Sequence, residues 1–133
     1  MRKLFVLLAL FIIPTVGQAT HVVTATFNYD FTADNACSTT VVTSCVKQFN
    51  VYDITTGSAV KLFSVIAPSG ANGPITGIKG SSGSLTIKGG THTFSITVVM
   101  ADGTETASTG AGACTTTASV TPAQPTSFVV TAA

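Results

Sequence analysis

The chain has 133 residues, of which 45% are hydrophobic and only 8% charged, and its formal net charge is +1. That length makes one domain the default. The mix excludes a charge-rich disordered segment, a coiled coil and a nucleic-acid-binding domain driven by basic charge.

The amino terminus has the layout of a secretory signal peptide. Arg2 and Lys3 form a positive start, Leu4 to Ile13 is an unbroken apolar run, Pro14 ends it, and Gly17-Gln18-Ala19 sets small residues before a cut. Cleavage is expected after Ala19. The apolar run is too short for an anchor, because crossing a bilayer takes about 20 residues. The expected organisation is therefore a signal peptide at 1–19 and one β-sandwich domain at 20–133. Cleavage leaves four lysines (Lys47, Lys61, Lys79, Lys88) against five acids (Asp30, Asp34, Asp53, Asp102, Glu105), a net charge of −1. Nothing in that balance attracts phosphate backbones or anionic lipid, so no nucleic-acid partner, and no membrane partner after cleavage, is expected.

Beyond Ala19 there are 23 Thr, 12 Ser and 13 Val, but only two Leu. β-Branched residues dominate and strong helix formers are nearly absent, which points to an all-β fold. His21 to Phe31 alternates with period two: Val23, Ala25, Phe27, Tyr29 and Phe31 share one face, as in a half-buried strand. Thr32-Ala33-Asp34-Asn35 supplies turn chemistry. Val46 to Asp53 predicts the next strand, Thr55-Thr56-Gly57-Ser58 a hairpin turn, and Val60 to Ile66 a return strand whose Lys61 suits a sheet edge.

Pro68 to Ser84 carries five glycines and only two large apolar residues, Ile75 and Ile78, and reads as a long surface loop pinned by those two side chains. A glycine-rich loop cradles phosphate when it opens a helix, and no helix follows. Leu85 to Ile87 is a short strand. Phe94, Ile96, Val98 and Met100 alternate along the next, Asp102-Gly103 turns the chain, and Cys114 to Val120 is a Thr-rich strand. Phe128 to Thr131 is the last. Seven strands without a helix predict a two-sheet antiparallel β-sandwich. The expected core is Phe27, Tyr29, Phe49, Val51, Ile87, Phe94, Ile96 and Val98.

Three stretches resemble the fibronectin type III family of immunoglobulin-like domains. Phe49-Asn50-Val51-Tyr52 with Thr55-Thr56-Gly57 is similar to the family's third strand and the turn after it. Ile87 to Met100, with Gly90-Thr91 and Phe94, resembles its corner and sixth strand, and Ala101 to Thr106 resembles the exit from that strand. The resemblance implies a scaffold used for adhesion, spacing and protein or glycan binding. It also implies that Phe27 or Tyr29 fills the place of the family's core Trp. Phe94 stands where the family has its corner Tyr. The family's first strand is missing at the expected end of the chain. Pro125 to Ala132 resembles such a strand, but follows the last strand instead of preceding the first. Its short link cannot return it in the family's direction, so it either turns back beside Cys114–Val120 or completes a second copy. The local return has the lower closure cost and is the expected arrangement for an isolated molecule.

Export permits disulfides, and Cys37, Cys45 and Cys114 allow one bridge and one spare thiol. A Cys37–Cys45 bridge within one loop is expected, with Cys114 spare. A pair with Cys114 stays open, because the resemblance puts the two loops concerned at one pole. No C-x-x-C pair supports a metal site. Asp30, Asp34 and Asn35 could offer oxygens to a cation, but turn capping is the expected role. His21 and His92 are expected in solvated positions, no G-x-S-x-G is present, and the five acids form no evident pair. No catalytic residue, no metal and no cofactor is therefore expected. What remains is a secreted (extracellular or periplasmic), non-catalytic module. It would bind a protein or glycan through the pole of loops 32–45 and 104–114. The alternative is a structural subunit that self-associates through its C-terminal strand.

Overall fold

A computed structural model describes residues 20–109 and 114–120 of the chain. The predicted signal peptide and the predicted strand at 128–131 lie outside the described residues. The fold is all-β and sandwich-like. Among the described residues eight strands follow one another: β1 (Thr20–His21), β2 (Thr24–Asp30), β3 (Val46–Asp53), β4 (Val60–Ile66), β5 (Pro74–Ser81), β6 (Leu85–Thr86), β7 (Gly90–Met100) and β8 (Cys114–Val120). Every named pair is antiparallel. β4, β3, β7 and β8 form one sheet in that order, β2 and β5 a second, and β1 and β6 a small third. β4 is an edge strand, as its Lys61 predicts.

The core follows from alternation. Along β2 the even-numbered residues are exposed and the odd-numbered ones turn inward, with Phe31 fully buried just beyond the strand. Phe49 of β3 meets that face. Its ring lies 4.8 Å from Phe27 and 5.1 Å from Tyr29, both edge-on, the arrangement aromatic quadrupoles favour. Val65 of β4, Ala67 just beyond it and Ile78 of β5 close the cluster. Phe49, Val51 and Phe94 are buried as expected, while Phe27, Tyr29, Ile87, Ile96 and Val98 are half-buried. Ile87 is set apart for a topological reason. It follows β6, which pairs with β1 and belongs to neither main sheet.

The segment read as a long surface loop is a correction. Residues 74–81 are strand β5, paired with β2 from Thr24↔Ser81 to Asp30↔Pro74. Ile75 and Ile78 are three residues apart, a spacing that breaks period two and hides a strand. The register shifts between Phe27 and Tyr29, so Ile78 sits opposite Phe27 and Ile75 opposite Tyr29, and both face inward. Gly77 makes the irregularity possible. Its φ of 69° is costly for an L side chain, and its N–H donates to Asn28 Oδ1 at 3.0 Å.

Candidate functional site

Three strand ends carry the same local device, an Asp followed two positions later by a Thr. Asp30 Oδ1 accepts from the backbone N–H and hydroxyl of Thr32, Asp53 Oδ1 from those of Thr55, and Asp102 Oδ1 from those of Thr104. Each carboxylate thus replaces the sheet partner that the backbone loses as it turns. Hydrogen bonds from Thr32 and Thr104 lower the pKa of Asp30 and Asp102. Asp30 is a turn cap, and among the described residues no three His, Cys, Asp or Glu side chains converge as a metal would require.

Two of these turns flank the loop that carries the cysteines. Cys37 and Cys45 are bridged, with Cα atoms 5.0 Å apart, and Cys114 is a free, exposed thiol. Backbone bonds hold both ends of the loop. The Cys37 N–H donates to Val46 O, Gly70 N–H to Cys37 O, and Ala101 N–H to Cys45 O. The last of these fixes the 101–104 turn beside the loop. Within it the Ser38 hydroxyl accepts from the N–H groups of Thr40 and Val41, and Ser44 takes a φ of 50°. Cys45 is fully buried, whereas Val41 is 39% and Val42 65% exposed. The loop is therefore rooted in the core at one end and presents a valine pair to solvent at the other. Replacing both cysteines with Ser is expected to lower stability by at most about 2–3 kcal/mol, because the closed loop is short. Chemical denaturation measures it, and the protease sensitivity of residues 38–44 should rise by more than the global loss explains.

His92 is the one histidine in a polar cluster. Its Nδ1 lies 2.7 Å from Asp53 Oδ2 and its Nε2 lies 2.8 Å from Lys88 O. A carbonyl only accepts, so Nε2 donates, and donation from Nδ1 to the carboxylate makes the ring an imidazolium. The hydrogen bond to Asp53 raises the His92 pKa above its ordinary 6.5, against the opposing effect of burial. Burial would raise the pKa of Asp53, but the hydrogen bonds from Thr55 and His92 outweigh it and lower it. Thr55 Oγ1 donates to Asp53 and accepts from Thr93 N–H. The group clamps the β3–β4 turn to β7, and its polar atoms are already engaged. His92 is thus not the solvated residue expected from its turn position.

The clamp has a pH window. The raised His92 pKa contributes stability that is complete below about 6.5 and fades as pH rises through the folded-state value. The lowered Asp53 pKa contributes stability that is complete above about 3.9 and fades as pH falls through its folded-state value. The clamp is expected to be strongest between these limits. A thermal melt series should show His92→Gln several degrees less stable than the parent at pH 5.5, with the gap narrowing by pH 8.5. A gap that is constant with pH would refute the imidazolium assignment.

A second polar cluster escaped the sequence reading. On the outer face of the four-stranded sheet, Glu105 Oε1 accepts from Tyr52 OH at 2.6 Å, Thr97 Oγ1 at 2.5 Å and Asn50 Nδ2 at 3.0 Å. Asn50 Oδ1 in turn accepts from Ser64 Oγ and Gln48 Nε2. Asn50 and Thr97 are almost fully buried on a face that carries no second layer of strands among the described residues. Burial would raise the Glu105 pKa, but hydrogen bonds from Thr97, Tyr52 and Asn50 lower it. The available signal was the row of polar residues facing one way: Ser64, Asn50 and Thr97 are neighbours across β4, β3 and β7.

Among the described residues, a groove of about 320 Å³ lies between β2 and β8, lined largely by apolar side chains including Val23, Phe27 and Ile96. Comparison with known proteins finds no family model, no curated protein and no solved structure that matches this chain.

Proposed function

We propose that the chain is an exported, non-catalytic β-sandwich module of the fibronectin type III type, which binds a protein or glycan through the pole of loop 32–45 and the adjoining 101–109 turn. The strand order supports the family reading: β2 with β5 in one sheet, and β4, β3, β7 and β8 in the other. The bridged cysteines and the leader at 1–19 support export. The observation that carries the binding reading is the Val41–Val42 pair, exposed on a loop held by a disulfide and by backbone bonds at both ends. Binding normally costs the ordering of flexible loops, and a pre-ordered loop avoids much of that cost. A small apolar anchor ringed by Ser and Thr hydroxyls suits the centre of a modest interface. Saturation of the Asp53–Thr55–His92 group supports a non-catalytic role, since no free base faces a free nucleophile there.

The test compares the parent with the double variant Val41→Ser, Val42→Ser on an array of glycans and exported proteins. The variant should melt like the parent, because both side chains face solvent, and lose at least tenfold in binding to whatever the parent retains. Equal retention by parent and variant would move the binding surface elsewhere. A second reading, a structural subunit that exchanges its C-terminal strand with other copies, is favoured by the groove beside β2. It requires a concentration-dependent ladder in size-exclusion chromatography, whereas a binding module elutes as a monomer throughout.

A further inference from the structure

We propose that the outer face of the four-stranded sheet carries a binding site for a neutral oligosaccharide, formed by Gln48, Tyr52, Lys61, Ser64 and Glu105. This surface is separate from the loop pole, and the inference stands independently of the reading given there. Strand register brings the residues together. Gln48 and Tyr52 flank Asn50 on β3, Lys61 of β4 lies opposite Tyr52, Ser64 opposite Asn50, and Asn50 opposite Thr97 of β7. Residues directly opposite one another share a face of the sheet, here the one away from Phe49 and Val51. A bridge between Val99 and Glu105 adds the carboxylate beyond β7. From β4 to Glu105 the row crosses three strand intervals, about 14 Å, which accommodates more than one sugar ring.

The site is built in two layers. Asn50 and Thr97, 4% and 1% exposed, form the lower one and position the groups above them. Thr97 Oγ1, Asn50 Nδ2 and Tyr52 OH all donate to Glu105 Oε1. Asn50 Oδ1 accepts from Gln48 Nε2 at 2.9 Å and from Ser64 Oγ at 2.7 Å, and Gln48 Nε2 also reaches Ser64 Oγ. In the upper layer Gln48 and Tyr52 are half-buried, and Lys61, Ser64 and Glu105 are exposed. Glu105, Tyr52, Gln48 and Ser64 are thus held in place before a ligand arrives, which removes much of the ordering cost of binding. Among the described residues, these bonds engage Glu105 through Oε1 and Gln48 through Nε2, which leaves Glu105 Oε2 and Gln48 Oε1 as acceptors for a ligand.

The chemistry of these groups selects the ligand. Burial would raise the Glu105 pKa, but the hydrogen bonds from Thr97, Tyr52 and Asn50 and the charge of Lys61 lower it, so the side chain stays a carboxylate. A carboxylate accepts strong, charge-assisted bonds from hydroxyl groups. Gln48 Oε1 accepts, the Lys61 ammonium donates and the Ser64 hydroxyl does both. That mixture matches the neighbouring hydroxyls of a sugar, each at once a donor and an acceptor. The Tyr52 ring adds an apolar face for the sugar's C–H groups. One carboxylate and one ammonium cancel, so the patch attracts neither a polyanion nor a polycation. Residues 38–44 of the loop pole, by contrast, contain no aromatic ring, carboxylate or carboxamide, and their valine pair suits an apolar protein surface.

The test is an NMR titration of the protein, expressed as the full chain with its leader, with cellohexaose, maltohexaose and mannohexaose at millimolar concentration. At least one of the three should shift the backbone amides of Gln48, Tyr52, Ser64 and Glu105 and the side-chain amides of Gln48 and Asn50. Glu105→Gln keeps the size of the side chain and an acceptor for the three donors, but puts an amide nitrogen in place of Oε2. It should weaken binding at least roughly fivefold. Ser64→Ala, at an exposed position, should weaken it about threefold and reads the same site if Glu105→Gln does not fold. The double variant Val41→Ser, Val42→Ser should titrate like the parent, so failure of this site and failure of the loop-pole reading are distinguishable. The site is overturned by an absence of shifts with all three sugars, by shifts centred on residues 38–44, by stronger shifts with a galacturonic acid hexamer, or by unchanged affinity in the Glu105 and Ser64 variants.

Discussion

Phe49→Ala should lower stability by about 3–5 kcal/mol, the largest loss expected from any single side chain in the domain. Phe49 is 1% exposed, and its ring touches Phe27 and Tyr29 from the opposite sheet, with Phe31 at 6.1 Å. Removing it takes away apolar area and edge-to-face contacts at once, and the cavity left behind is walled by strands of both sheets and cannot collapse. Phe94→Ala makes a useful contrast. Phe94 is also buried, at 7% exposed, but it borders the groove. A void there lies at the rim of the groove and not between the two sheets, so its cost should fall toward the lower end of the same range. Urea titration of both variants with the parent decides the point. A loss for Phe49→Ala below about 1 kcal/mol would mean that the two sheets do not meet at this ring. A domain has about 5–15 kcal/mol in total, so the Phe49 variant should sit near its unfolding threshold at ordinary temperature.

The same ring shows what could be read without coordinates. Phe27 lies on a strand whose inward residues alternate without a break, and Phe49 shares a face of β3 with Val51, so alternation assigns both faces. β3, β4 and β8 fall where β-branched runs and turn residues put them. The reading failed where a strand departs from regular pleating. β5 has an irregularity at Gly77, and a change of register erases the alternation that identifies a strand. Its glycines, which suggest a loop by composition, answer local steric needs instead: a positive φ at Gly77 and a close approach at Gly80.

The polar clusters were illegible for a related reason. The bridge between Cys37 and Cys45 was accessible from spacing, because both ends lie in one short loop. The Asp53–His92 pair and the Glu105 network join residues 39 and 53–55 positions apart, and only strand pairing brings them together. A lone Glu in a polar run gives no hint that it lies across a sheet from Tyr52. The repeated Asp-x-Thr could have been found as a motif. Its recurrence at 30–32, 53–55 and 102–104 marks three strand ends, each with the same side-chain cap.

Gly80→Ala tests the close approach between β5 and β4, and its effect should depend on one neighbour. A Cβ on Gly80 would lie 2.3 Å from Val65 Cγ2 and 3.2 Å from both Cβ and Cγ1 of the same residue. Rotating Val65 gives little relief, because its Cβ is already close and a β-branched side chain is stiff about χ1. Val65 is itself buried, so moving it presses on Phe49 and its neighbours. The substitution should cost about 1–3 kcal/mol, as overpacking does. In a Val65→Ala background the obstruction is gone. Gly80 has no positive φ, so there the added methyl mainly restricts the unfolded chain, and the same change should become neutral or stabilising by up to about 1 kcal/mol. A double-mutant cycle measures the difference, which should exceed the 0.3–0.5 kcal/mol scatter of independent sites. Equal costs in the two backgrounds would show that β5 does not press on β4 at this point. The two-stranded sheet would then be held over the core mainly by its aromatic residues.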